Sequence, residues 1–219
     1  MLRDASQTNV GRALAKLAKG AAGFIPRGRL KALTDGVFAF AMTLLVVNIE
    51  LPEGFDPKSN EAFLSALANL SETFVAYLIT FFVLVSFWFG RAQADGEPET
   101  ASPGYAWATL LHLLAVTFLP FSMLTVGRYD VPAAAWVYGA NMLLLAVSAL
   151  AIARLAERDM GRARVDDGRV ELGILIVSAI LSIVTSLVAP GYAMLPYLLN
   201  LAAPLAARAV YRRQGNAGR

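Results

Sequence analysis

Cysteine is absent from the 219 residues. Neither a disulfide framework nor a thiolate metal centre is therefore available, and thiols say nothing about the redox compartment. Charge is scarce as well: Asp, Glu, Lys and Arg make up 16% of the chain, against about 25% in an ordinary soluble domain. Histidine occurs once, at His112. No nucleophile-base pair, glycine-rich phosphate loop or cluster of metal-ligating side chains stands out, so neither an enzyme, a cofactor nor a fixed structural metal is expected. The formal net charge of +3 is too small to call for nucleic acid. Residues 1–31 lack the short apolar core and small-residue site of a cleavable signal, so the N-terminus is expected to persist.

What the chain has in excess is apolar surface, with 57% hydrophobic residues. A soluble core of this length cannot hide so much, whereas a lipid bilayer accepts it on every side. Hydrocarbon about 30 Å thick asks for about 20 apolar residues per helical crossing. Six stretches qualify: Leu30 to Leu51, Phe63 to Gly90, Tyr105 to Val126, Val131 to Leu155, Leu172 to Ala189 and Tyr192 to Val210. They show no sustained alternation, and an isolated strand leaves its backbone groups unsatisfied in lipid, so helices are predicted.

The expected class is an all-α integral membrane protein with six transmembrane helices. Placing both termini in the cytoplasm puts 17 of the 19 Lys and Arg residues on that side and leaves Lys58 and Arg128 outside, a split that an odd number of spans would spoil. The expected division is a basic cytoplasmic segment at 1–29, a six-helix membrane domain at 30–211 and a basic tail at 212–219. Residues 10–23 place Leu14 and Leu17 near one helical face with Arg12, Lys16 and Lys19 elsewhere. That pattern fits a short interfacial helix or a solvated basic tail equally.

The first span is the most informative. Arg29 and Asp35 flank the entrance of an otherwise apolar helix, and at about 1.5 Å per residue Asp35 lies about 7–8 Å beyond Leu30. A carboxylate there calls for a polar partner, or for the positive end of its own helix if it falls in the first turn. Beyond it Phe40, Leu44 and Val47 fall at i, i+4 and i+7, with Thr43 beside them. Such a stripe can line a pore, face lipid or pack on another helix, and spacing alone does not choose. In the loop that follows, Glu50, Glu53, Asp56 and Glu61 against the single Lys58 form either a cation-attracting vestibule or an ordinary solvated loop.

His112 reads as an interhelical hydrogen-bonding group or as a sensor. Counted from Tyr105 it lies about 10 Å into its span, a depth compatible with pairing to Asp35 or Arg29. Asn141 and Asn200 read as packing amides. The run Thr125 to Tyr129, TVGRY, does not make a carbonyl filter, because it interposes Arg128, ends a span and leaves no room for a pore helix.

The run TDGVFAFAMTLLVVNIELP, preceded by Arg29, resembles the first helix of bacterial members of the transmembrane protein 175 family, whose vertebrate member is a lysosomal potassium channel. The family motif R-x-x-x-F-S-D is similar to Arg29, Leu33, Thr34 and Asp35 here, with leucine in place of phenylalanine and threonine in place of serine. LLHLLAVTFLPFSM in the third span resembles the family's L-L-x-L-L-x-x-x-x-L-P-F segment, with His112 where asparagine is common. SFWFGRAQ resembles the family's aromatic end of the second span, with Arg91 and Ala92 in place of histidines.

The resemblance implies a homotetramer in a cell (plasma) membrane, for a bacterial member the inner membrane. Four first helices would surround a path for monovalent cations, with potassium as the permeant ion. Phe40, Leu44 and Val47 would form the apolar constriction, Thr43 a hydroxyl layer, and K+ would pass transiently near Phe40, Thr43 and Leu44. Arg29, Leu33, Thr34 and Asp35 would brace the pore helix, with His112 as a partner of that motif and Glu50, Glu53 and Asp56 at the outer mouth. An apolar ring conducts only partly hydrated ions, so selectivity for potassium over sodium is expected to be modest. A secondary transporter using Asp35 as its coupling site and a non-conducting membrane scaffold are the other readings.

Overall fold

The computed structural model describes residues 25–92, 100–161, 168–200 and 202–203. Its bounded helices among the described residues are α1 (Arg27–Val47), α2 (Asn60–Asn69), α3 (Ser71–Ala92), α4 (Pro103–Arg128), α5 (Pro132–Met160) and α6 (Arg169–Val188), and residues 199–200 and 202–203 are helical as well. Two short 3-10 turns, Pro190–Tyr192 and Leu195–Leu198, follow. Among the described residues, α1, α3, α4, α5 and α6 are long and apolar enough to cross a membrane.

Local chemistry sets the boundaries. Ser59 and Ser102 cap α2 and α4 by accepting from the Ala62 and Tyr105 amides, which satisfies first-turn donors that have no partner inside the helix. Pro103 and Pro132 stand at helix starts, where a missing N–H costs nothing. α5 stops at Gly161, whose φ of 65° is the left-handed conformation that glycine adopts without strain.

The predicted spans shift in instructive ways. α1 begins three residues before Leu30 and ends at Val47, since Asn48 turns and the loop to Ser59 is irregular. The single span predicted from Phe63 to Gly90 is two helices, broken at Leu70. α2 carries no buried residue, so the crossing proper is α3. After α6 the chain passes through a run of tight turns that takes in Pro190, Gly191 and Pro196. The span expected from Tyr192 to Val210 lies largely outside the described residues, as do the interfacial segment at 10–23 and the tail at 212–219.

α4 is the central pillar, touching α1, α3 and α5, and α5 in turn packs on α6. Phe38, Ala41 and Leu45 of α1, Ile79 and Leu84 of α3, Val116, Leu119 and Met123 of α4, Tyr138, Met142 and Leu145 of α5, and Leu175 and Ala179 of α6 share one core. Small residues bring backbones close: Gly127 lies against Thr73, whose Oγ1 donates to the Gly127 carbonyl at 2.6 Å. Polar side chains supply the glue that lipid cannot oppose. Asn141 donates to Ser122 Oγ at 3.1 Å, Asn200 to Ser178 Oγ at 3.2 Å, and the Thr80 and Tyr138 hydroxyls meet at 2.8 Å.

A Cβ on Gly127 would stand 2.9 Å from the Thr73 Cα, a backbone atom that cannot step aside. Gly127→Ala is therefore expected to destabilise the protein by about 1–3 kcal/mol, the usual penalty of overpacking. Gly90→Ala, whose Cβ meets nothing within 4 Å, is expected to leave stability unchanged or raised. Thermal unfolding of the two variants in the same detergent checks the pair.

Candidate functional site

α1 has two faces of the same period. Arg27, Leu30, Thr34, Phe38, Ala41 and Leu45 are buried against the bundle. Two residues along a helix turn about 200°, so the set Leu33, Phe40, Thr43 and Val47 looks the other way. Among the described residues it is left uncovered: Phe40 is 64% exposed and Val47 60%. Leu44 sits at the edge of this stripe, half-buried. The Thr43 hydroxyl donates to the Phe40 carbonyl at 2.8 Å, which leaves its lone pairs free to accept from outside the helix.

The motif residues divide between the faces. Thr34 is buried and its Oγ1 donates to the Leu30 carbonyl at 2.8 Å, while Arg29 and Leu33 are exposed. Asp35 lies eight residues past the start of α1, so the first-turn placement is not what steadies it. Its carboxylate accepts instead from Trp88 Nε1 at 3.1 Å, a contact between α1 and α3. Trp88 belongs to SFWFGRAQ, and its aromatic character was the one sequence signal for this brace.

His112 does not join the motif. It is fully buried, with Nδ1 2.9 Å from the Ser148 hydroxyl of α5. The Ser148 proton goes to the Leu145 carbonyl at 3.0 Å, so the imidazole Nδ1–H is the donor and Ser148 Oγ the acceptor. The ring meets Phe38 of α1 and Phe87 of α3 at centroid distances of 6.1 and 5.4 Å. The expected pairing with Asp35 or Arg29 is thus replaced by a tie to α5. Depth along the span was compatible with both, but the azimuth of His112 on α4 points it at α5, and sequence spacing does not fix which neighbour lies there.

Near one end of α1, Arg27 is buried, 3.4 Å from Asp159 of α5, with its guanidinium carbon 4.1 Å from the centre of the Tyr105 ring. Ile25–Pro26 and Thr100–Ala101 form a two-residue antiparallel bridge beside it. At the other end, Asn48 Nδ2 donates to the Pro120 carbonyl of α4 at 3.2 Å. Arg27 falls in the basic segment 1–29, and an acid in the last turn of α5, at the wrong end of that helix's dipole, is the sequence's hint of its partner. Glu50, Glu53 and Asp56 are exposed in the loop after α1, where Asp56 is ion-paired with Lys58. Among the described residues no group of three metal-ligating side chains occurs. Thr125 to Gly127 are helical, within α4, so TVGRY offers no line of free carbonyls.

Residues 29–120 match the family described as the endosomal/lysosomal potassium channel TMEM175. A protein named as a potassium channel from Chamaesiphon minutus is 29% identical over 124 residues, 55% of this chain and 61% of that one. Another potassium channel, from Streptomyces collinus, is 28% identical over 102 residues, 47% of this chain and 48% of that one. The matched stretch thus spans about half to three fifths of these curated relatives. The crystal structure of a lysosomal potassium-selective channel TMEM175 homologue from Chamaesiphon minutus aligns with 82% of this chain and 97% of its own, with 23% sequence identity and a TM-score of 0.59. The fold is shared with that homologue.

Trp88→Phe keeps the ring and removes the donor to Asp35, and Asp35→Asn removes the charge from the same contact. Each is expected to cost about 1 kcal/mol, and the double variant is expected to be no worse than the worse single. A double-mutant cycle on detergent unfolding midpoints measures that coupling.

Proposed function

We infer that this chain, which carries the TMEM175 family pattern over residues 29–120, forms a multi-pass channel for monovalent cations in a plasma membrane and prefers potassium. The single observation that carries the reading is the apolar stripe of α1 left uncovered by the rest of the subunit. Four copies of it around a shared axis make a homotetramer whose narrowest part is built by Phe40, Leu44 and Val47, with Thr43 as a hydroxyl layer. The six-span topology with cytoplasmic termini accords with the charge split, and with a polypeptide that turns back after α6.

A ring of apolar side chains works by size and wetting. When narrow it expels water and ions; when wider it passes a cation that keeps part of its hydration. Sodium holds its water more tightly than potassium, so a passage with few replacement ligands penalises sodium more. Discrimination of that kind is weaker than a cage of carbonyl oxygens achieves. At the outer end Glu50, Glu53 and Asp56, repeated four times, concentrate cations within the screening distance of about 8 Å at physiological salt. The secondary-transporter reading finds no support of its own: the Asp35 carboxylate is engaged by Trp88 in an interhelical brace.

Purified protein in planar bilayers between asymmetric potassium and sodium solutions tests the reading. Discrete openings with a reversal potential displaced toward potassium are expected; saturable, coupled flux without openings would overturn it. Leu44→Ala widens the constriction and is expected to raise unitary current several-fold while moving the reversal potential toward zero. Leu150→Ala, on α5 and outside the uncovered stripe of α1, is expected to do neither.

A further inference from the structure

Four charged residues near one end of the bundle stand where their own helices do not want them. Arg27 and Arg169 open α1 and α6, at the positive end of a helix dipole, and Glu157 and Asp159 lie in the last turn of α5, at the negative end. Local helix stability therefore does not explain them. The fold brings them together in two crosslinks: Arg27 Nη2 lies 3.4 Å from Asp159 Oδ2, and Arg169 Nη2 lies 2.8 and 2.7 Å from the two Glu157 oxygens.

The two crosslinks differ in what they hold. Glu157 joins neighbouring helices of the bundle wall. Asp159 is a junction of three, because the same Oδ2 faces the Ser102 backbone N–H at 3.4 Å, at the capped start of α4. Arg27 is 7% exposed and lies over the ring of Tyr105, which belongs to a small satellite cluster with Leu30, Ala101, Ile152 and Ala156. α5, at 29 residues, is about 43 Å long, more than the hydrocarbon thickness of about 30 Å. That length lets its charged last turn, with Glu157, Arg158 and Asp159, stand past the apolar layer, and it meets α1 there.

We propose that the Arg27–Asp159 pair is a positioning clamp through which the protruding end of α5 sets the placement of α1 and thereby the opening of the pore. The proposal rests on the reading of α1 as the pore helix. Arg27 and Asp159 do not touch the permeating ion; they act through α1, whose constricting residues lie from thirteen residues beyond Arg27 onward.

Single-channel recording of Arg27→Gln, Asp159→Asn and the double variant tests it, since only folded channels contribute openings. Each single variant is expected to change open probability on the order of tenfold, both in the same direction, with the double variant changing it no further and unitary conductance staying that of the unmodified protein. Asp159→Glu and Arg27→Lys, which keep the charges, are expected to remain near the unmodified open probability. Glu157→Gln, which loosens the tie to Arg169 of α6, is expected to leave gating alone. Unmodified open probability in Arg27→Gln and Asp159→Asn overturns the clamp, as do additive effects in the double variant or an equal effect of Glu157→Gln. An unmodified protein silent in every cation gradient overturns the channel reading, and the clamp with it; openings with unaltered gating in the variants overturn the clamp alone.

Discussion

A helix immersed in hydrocarbon gains nothing by hiding an apolar side chain from lipid, because the lipid is as apolar as the hiding place. Where α1 stands is therefore decided by shape and by a handful of polar contacts rather than by hydrophobicity. Arg27, Asp35 and Asn48 meet α5, α3 and α4 respectively, and Phe38, Ala41 and Leu45 fit the core between them. With one face so engaged, the opposite face stays uncovered among the described residues.

Hydropathy made the rough limits of the five described crossings readable, because the thickness of a bilayer is a ruler that the sequence must match. The break at Leu70 was not readable. Residues 63–90 are apolar on average, and although Asn69, Ser71, Glu72 and Thr73 flank the point where α2 ends and α3 begins, no proline or glycine marks it. The two-sided nature of α1 was hidden for a related reason: in lipid both faces of a helix are greasy, and Phe38 and Phe40 differ only in azimuth.

At the candidate site, the motif spacing Arg29 to Asp35 was legible, and the partner of Asp35 was not. Trp88 comes 53 residues later, and only the packing of α3 beside α1 brings its indole there. His112 shows the same gap between depth and direction. Arg27 was legible as a charge and illegible as a buried one, since its desolvation is offset by Asp159 132 residues away and by the face of Tyr105.

The contact at Gly127 reaches further than its size. Thr73 is pressed against that glycine near one end of α3, and Trp88 holds Asp35 near the other. Fifteen residues of uninterrupted helix, about 22 Å, connect the two points. α3 is thus a stiff rod pinned at both ends to different neighbours, α4 at one and α1 at the other. Any slippage of one pin is relayed as a tilt at the far one, so the smallest side chain in the sequence helps hold the registration of a hydrogen bond most of a membrane's width away.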